Sequence, residues 1–144
     1  MAGEGIPSKA VTWRVKDRLV TPQFPCVMGI INATPDSFHA ASRVNDIDAA
    51  LRTADRMLAE GAWILDVGGQ SSRPGSDTGD EQKELRRVLP LIDAIHRRFP
   101  AALISIDTWR AHVARAAVDA GAGMVNDIGA GLLDRSMLST VATL

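Results

Sequence analysis

Short apolar runs alternate with helix-patterned stretches along this chain, and that alternation constrains its fold more than any other feature. Val27 to Ile31, Trp63 to Val67, Leu103 to Ile106 and Met124 with Val125 are brief and apolar, as parallel strands buried on both faces are. After the first run, Ile47, Ala50, Leu51, Ala54, Met57 and Leu58 recur at helical spacing. After the second, from about Asp80 to Arg98, Leu85, Val88, Leu89, Ile92 and Ile95 do the same. Val113, Ala116, Ala117 and Ala120 mark a third helix, and Leu133 to Leu144 a last amphipathic piece. Asn45 or Asp46 and Thr108 are suited to cap helix starts, and Gly61 and Gly121 to end helices. Pro90 removes a backbone donor and is expected to kink or divide the second helix. Four successive βα units imply a parallel sheet with right-handed crossovers, an α/β chain.

Ahead of these units, residues 1–10 read as a loose tail. Val11, Trp13 and Val15 alternate with polar residues, and Lys16 to Arg18 can turn the chain into Leu19 and Val20. A short hairpin over residues 11–20 therefore precedes the units in 27–144. The 144 residues suit one domain with its own core. A formal net charge of -1 gives no electrostatic case for nucleic acid or an anionic membrane. Cys26 is the single cysteine, so an internal disulfide and a multi-cysteine zinc site are excluded. No apolar run approaches the roughly 20 residues that cross a bilayer, and a cytoplasmic protein is expected.

Polar residues collect where the strands end. Asn32 closes the first run, Asp66 lies near the end of the second, Asp107 ends the third, and Asn126 with Asp127 ends the fourth. Each alone could be a helix cap or a turn residue. Together they put four carboxylates or carboxamides on the sheet edge where parallel α/β folds bind ligands. Such groups can pair with a flat ring bearing amide and amino groups, such as a pterin or purine. Arg73, in Ser71-Ser72-Arg73-Pro74-Gly75-Ser76, offers a charged fork for an anion. No Walker loop, dinucleotide fingerprint, zinc-protease motif or Ser-His-Asp order is present. His96 and His112 fall within helical stretches as surface residues, His39 lies in the first loop, and Trp13, Trp63 and Trp109 read as packing residues.

The segments MGIINATPDSF, DVGGQSSRPGS, SIDTWR and GAGMVNDIGAG stand in that order from about Val27 to Gly131. Together they resemble the N-terminal half of dihydropteroate synthase. The resemblance implies four βα units of a (β/α)8 TIM barrel, preceded by the short hairpin. It also implies condensation of 7,8-dihydropterin-6-ylmethyl diphosphate with 4-aminobenzoate, releasing pyrophosphate with Mg2+ present. In the family pattern Asn32 is the metal-linked residue, and Asp107 and Asn126 bind the pterin ring. Phe38, Ser72, Arg73 and Pro74 line the diphosphate and aminobenzoate sites, with Asp36 and Arg73 serving the chemical step. Gln70 and Ser72 replace the acid and threonine usual in the second loop, and SFHAASR replaces a glycine-rich first loop.

A (β/α)8 barrel takes about 250 residues, so the resemblance implies an incomplete barrel over residues 1–144. The family's later acid, Ser-Arg-Lys and Arg-x-His segments have no counterpart here. Such a half is expected to expose strand edges and part of its core, and a homodimer is a further expectation. Three alternatives stay open on the sequence. They are a corrinoid-dependent pterin methyltransferase domain, a non-catalytic pterin- or phosphate-binding fragment, and a small doubly wound sheet of flavodoxin type.

Overall fold

The computed structural model describes residues 11–22, 24–33, 43–70 and 80–144; the proposed tail, residues 1–10, lies outside them. Strands β1 (Trp13–Val15) and β2 (Arg18–Val20) pair antiparallel, turning at Lys16 with φ 54°. Then follow β3 (Val27–Asn32), α1 (Arg43–Ala59), β4 (Ala62–Gly68), α2 (Glu81–Arg98), β5 (Leu103–Asp107), α3 (Ala111–Ala120), β6 (Met124–Asn126) and α4 (Met137–Val141). The last four strands form one parallel sheet in chain order, β3-β4-β5-β6. Each connection therefore returns to the neighbouring position, as successive βα units do. The hairpin, the units and the α/β class are those read from the sequence.

Strand periodicity divides the sheet into two chemically different faces. Ile31, Leu65, Val67, Ile104 and Ile106 share one buried core with Ala54, Leu85, Val88, Leu91, Ile92, Ile95, Val113 and Ala117 from α1 to α3. Removing a side chain the size of Leu65 or Ile92 from water contributes about 1.5–3 kcal/mol, so this layer is the main source of stability. The register puts Met28, Ile30 and Asn32 on the other face, beside Ile64, Asp66 and Gly68, then Ser105 and Asp107, then Met124 and Asn126. Ile30 is 59% exposed there and Met28 37%. Parallel sheets are usually covered on both sides, so this exposure agrees with the expectation that part of the core lies open.

Several local expectations are corrected. Helix α2 runs unbroken through Pro90. The proline is exposed, and the buried stripe of Leu85, Val88, Leu91, Ile92 and Ile95 keeps its phase across it. The lost donor therefore falls on the solvent side, where its absence is cheap. Helix α1 already includes Asn45 and Asp46, and Asp46 acts in its first turn, where a negative charge favours the helix dipole. Thr108 does not cap α3: its Oγ1 accepts from the Arg110 N–H at 3.2 Å, which closes a turn before the helix. The first helical N–H, that of Ala111, instead donates to Asp134 Oδ2 at 2.8 Å, from 23 residues away. Bonds from Ala111 and Ser136 hold the Asp134 carboxyl below its ordinary range. The last amphipathic piece is helical only over α4 and buries Met137, while Leu132, Leu133 and Leu138 are exposed. Among the described residues, no helix is long and apolar enough to cross a membrane.

Gly121 ends α3 with φ 127°, and its N–H bonds the Val118 carbonyl. A β-carbon there would lie 2.5 Å from His96 Cγ. Gly121→Ala is expected to cost about 1–3 kcal/mol through the backbone conformation and this clash. Urea unfolding checks it, and an unchanged midpoint would contradict the assignment.

Candidate functional site

The residues that end the strands sit in two rows on the face away from the helices. Asp66 and Ser105 are register partners in one row, and Asn32, Gly68, Asp107 and Asn126 form the next. Adjacent strands lie about 4.8 Å apart, so Asp107 and Asn126 are neighbours and Asn32 stands roughly 10 Å from Asp107. The strand ends are stitched together. The Ala33 N–H donates to the Gly68 carbonyl at 2.7 Å, and the Thr108 N–H to the Asn126 carbonyl at 3.0 Å.

Asp66 fixes the orientation of Asn126. Its carboxylate is 3% exposed and accepts from Asn126 Nδ2 at 3.0 Å. A carboxylate accepts only, so the amide nitrogen must face it and Asn126 Oδ1 must face elsewhere. Asp66 Oδ1 and Ser105 Oγ, both buried, have no hydrogen-bond partner among the described residues. Unpaired buried oxygens are costly, and they lie beside the Asp107 and Asn126 row.

Asp107 is the perturbed acid of the site. Burial pushes its carboxyl above the ordinary range, and the negative charges of Asp66, Glu84 and Asp127 push it the same way. Asp127 itself is occupied as a turn residue, with Oδ1 accepting from the Gly129 N–H and Oδ2 from the Gly131 N–H, each at 2.7 Å. The row thus presents acceptor oxygens in a negative field. That suits a ligand rich in N–H donors.

The start of α2 braces this row from the other side. Glu84, 2% exposed and inside the buried stripe, forms an ion pair with Arg110, the residue that closes the turn after Asp107. Arg110 also lies 4.4 Å from the centroid of the Trp109 ring. Arg87 Nη1 donates to the Gly69 carbonyl at 3.1 Å. A β-carbon on Gly69 would stand 2.7 Å from Val88 Cγ1 and 3.1 Å from Glu84 Cγ. One helical turn therefore fixes both the chain leaving β4 and the chain leaving β5. Deleting one partner of such a buried ion pair typically costs about 3–5 kcal/mol, because the other charge is stranded.

Of the residues singled out from the sequence, the structure brings Asp107 and Asn126 together and leaves Asn32 exposed at the end of β3. Phe38, Asp36, Ser72, Arg73 and Pro74, with His39, lie outside the described residues. His96 and His112 are exposed as expected, and His112 Nδ1 lies 2.8 Å from Glu81 Oε1. Trp13 and Trp63 pack edge to face, with centroids 5.6 Å apart. The orienting role of Asp66 and the bracing pair were not read from the sequence. Glu84 carried a usable signal, a charge four residues before Val88 on an otherwise apolar stripe. Among the described residues, no group of three His, Cys, Asp or Glu side chains is placed to hold a metal.

A family model described as pterin binding enzyme matches residues 28–144. A dihydropteroate synthase of Clostridium beijerinckii is 45% identical over 116 residues, which is 81% of this chain and 43% of that protein. One from Synechocystis is 46% identical, over 81% of this chain and 40% of its own length. The chain thus spans well under two thirds of these relatives. The solved dihydropteroate synthase of Xanthomonas albilineans with 4-aminobenzoic acid superposes with a TM-score of 0.82 at 41% identity, covering 94% of this chain and 49% of that one. That of Coxiella burnetii with pteroic acid gives 0.74 at 48% identity, covering 89% and 44%. The four βα units are accordingly the N-terminal half of that (β/α)8 architecture.

The raised Asp107 carboxyl carries a consequence for stability. Protonated Asp107 buries no charge and does not repel Asp66, so its contribution is full below the unfolded value, about 3.8, and is lost as pH rises through the higher folded value. Asp107→Asn should therefore raise the thermal midpoint near neutral pH. The gain should shrink as pH falls through the raised value. Paired melts across the acid range check this, and equal midpoints at neutral pH would contradict it.

Proposed function

This chain belongs to the pterin-binding enzyme family, and we propose that it supplies the pterin-reading wall and the first two substrate loops of a dihydropteroate synthase. The observation that carries the reading is the oriented row of Asp66, Asn126 and Asp107. With Nδ2 of Asn126 held by Asp66, the amide offers its oxygen. The Asp107 carboxylate beside it offers two more acceptors. A 2-amino-4-oxo pteridine carries an amino group and a ring N–H side by side, which a carboxylate binds through two parallel bonds. A further ring N–H then meets the Asn126 oxygen.

In the proposed reaction, the bond from the pterin methylene carbon to the diphosphate oxygen breaks, and a bond to the amine nitrogen of 4-aminobenzoate forms. The amine loses a proton and pyrophosphate leaves. The ring is electron-rich enough to share the positive charge that develops on the methylene carbon. The negative field of Asp66 and Asp107 favours that charge, being fixed before the reaction begins. Arg73 would neutralise the departing diphosphate, with Ser72 and Pro74 shaping the same loop. Asp36 would orient the reacting groups from the first loop, and Phe38 would pack on the arylamine and help exclude water.

Asn32 would offer its side-chain oxygen to a magnesium ion of the kind held mainly by phosphate oxygens and water, which takes few ligands from the protein. When bound, the ion would offset charge on the diphosphate.

The expected property of the 144-residue polypeptide is pterin binding with little synthase turnover. The residues that would complete the diphosphate site belong to family segments without a counterpart in these residues. Calorimetry with the pterin diphosphate should give measurable affinity, weakened about tenfold or more by Asn126→Ala. Absence of binding at millimolar ligand, or indifference to that substitution, would overturn the reading.

A further inference from the structure

A cavity of about 370 Å³ opens at the opposite end of the sheet from Asp107, between the β1–β2 hairpin and the starts of β4 and β5. Four residue steps along β5 separate the two ends, roughly 13 Å. Val20, Leu58, Trp63, Phe99 and Leu103 form its walls, together with the single charged side chain Arg18. Its volume and apolar lining are those of a small-molecule pocket.

The hairpin leaves this space because it is propped at its ends. Trp13 rests edge-on against Trp63, Val15 fills the space over Gly123, and Lys16 Nζ donates to the Val118 carbonyl at 2.7 Å. The hairpin's register pairs Trp13 with Val20 and Val15 with Arg18, so those four share the face turned to the cavity. Leu19 lies on the opposite face and is 76% exposed. Arg18 thus stands on the cavity side of the hairpin with its side chain open to solvent, opposite Leu19 and Arg14.

Arg18 has no ion pair among the described residues. No carboxylate lines the cavity; Asp17 borders an adjoining, smaller cleft that shares Val15, Arg18 and Leu103 with it. A second cation, Arg98, lies 5.6 Å from the centroid of the Phe99 ring. From this placement we infer that the cavity is a binding site for a compact aromatic carboxylate, its rings between Trp63 and Phe99 and its anion on Arg18. The guanidinium supplies a planar pair of donors for that group. The site is independent of the pterin row, since it shares no residue with it.

The probe is 2-naphthoate, with the uncharged 2-naphthylmethanol as its partner, titrated by calorimetry and followed by tryptophan fluorescence. The acid should bind at submillimolar concentration and the alcohol more weakly. Arg18→Gln, a substitution of an exposed residue, should weaken the acid about tenfold and leave the alcohol unchanged. Asp107→Asn should not affect either. The inference is overturned if neither compound binds, if acid and alcohol bind alike, or if Arg18→Gln leaves the acid's affinity intact.

Discussion

Strand β4 is the constraint on which the other parts rest. It is hydrogen-bonded on both sides, to β3 and to β5, and is buried from Ile64 to Gly68. Its alternation does two things at once. Leu65 and Val67 point into the helix-covered core, while Asp66, one residue between them, points to the other face. A slip of register by one residue would bury a carboxylate among leucines and isoleucines, at a cost that forbids it. The pairing that makes the core therefore also fixes where Asp66 stands, and Asp66 in turn fixes Asn126. The same backbone register sets both the core and the orientation of Asn126.

Helix α2 adds the second level of order. Its stripe of Leu85, Val88, Leu91, Ile92 and Ile95 anchors it on the sheet. That anchoring holds Glu84 and Arg87 where they meet Arg110 and Gly69. Buried ion pairs of this kind are weak sources of net stability compared with a hydrophobic replacement. What the Glu84–Arg110 pair gives is position, because a stranded charge penalises every arrangement in which the turn after Asp107 moves away. The negative row at the strand ends is likewise unfavourable to folding, as the raised Asp107 carboxyl records. On the proposed reading, a ligand with donor groups would relieve that repulsion.

Much of this was legible from the residues, for physical reasons that also explain what was not. The βα units, the hairpin and the polar strand ends follow from periodicity and from turn chemistry, which are local. Pro90 misled because a proline in a helix is costly according to which side its lost bond faces, and only packing decides that. Thr108 misled because the cap of α3 comes from Asp134, distant in sequence. Asp66 was visible as a strand-end acid, but its hold on Asn126 spans 60 residues and depends on register. The resemblance supplied roles for Asn32, Asp36, Phe38, Ser72, Arg73 and Pro74 that no spacing argument could assign.

The most direct test of the claim that Asp66, Asn126 and Asp107 read a pterin is nuclear magnetic resonance on labelled protein. The side-chain amide of Asn126 should be resolved and slow to exchange before ligand is added, because Asp66 already holds it. Titration with pterin should then move the Asp107 carboxyl carbon and lower its pKa, while the Asn126 amide protons keep their bond. A free Asn126 amide before titration, or an Asp107 resonance indifferent to saturating pterin, would contradict the account.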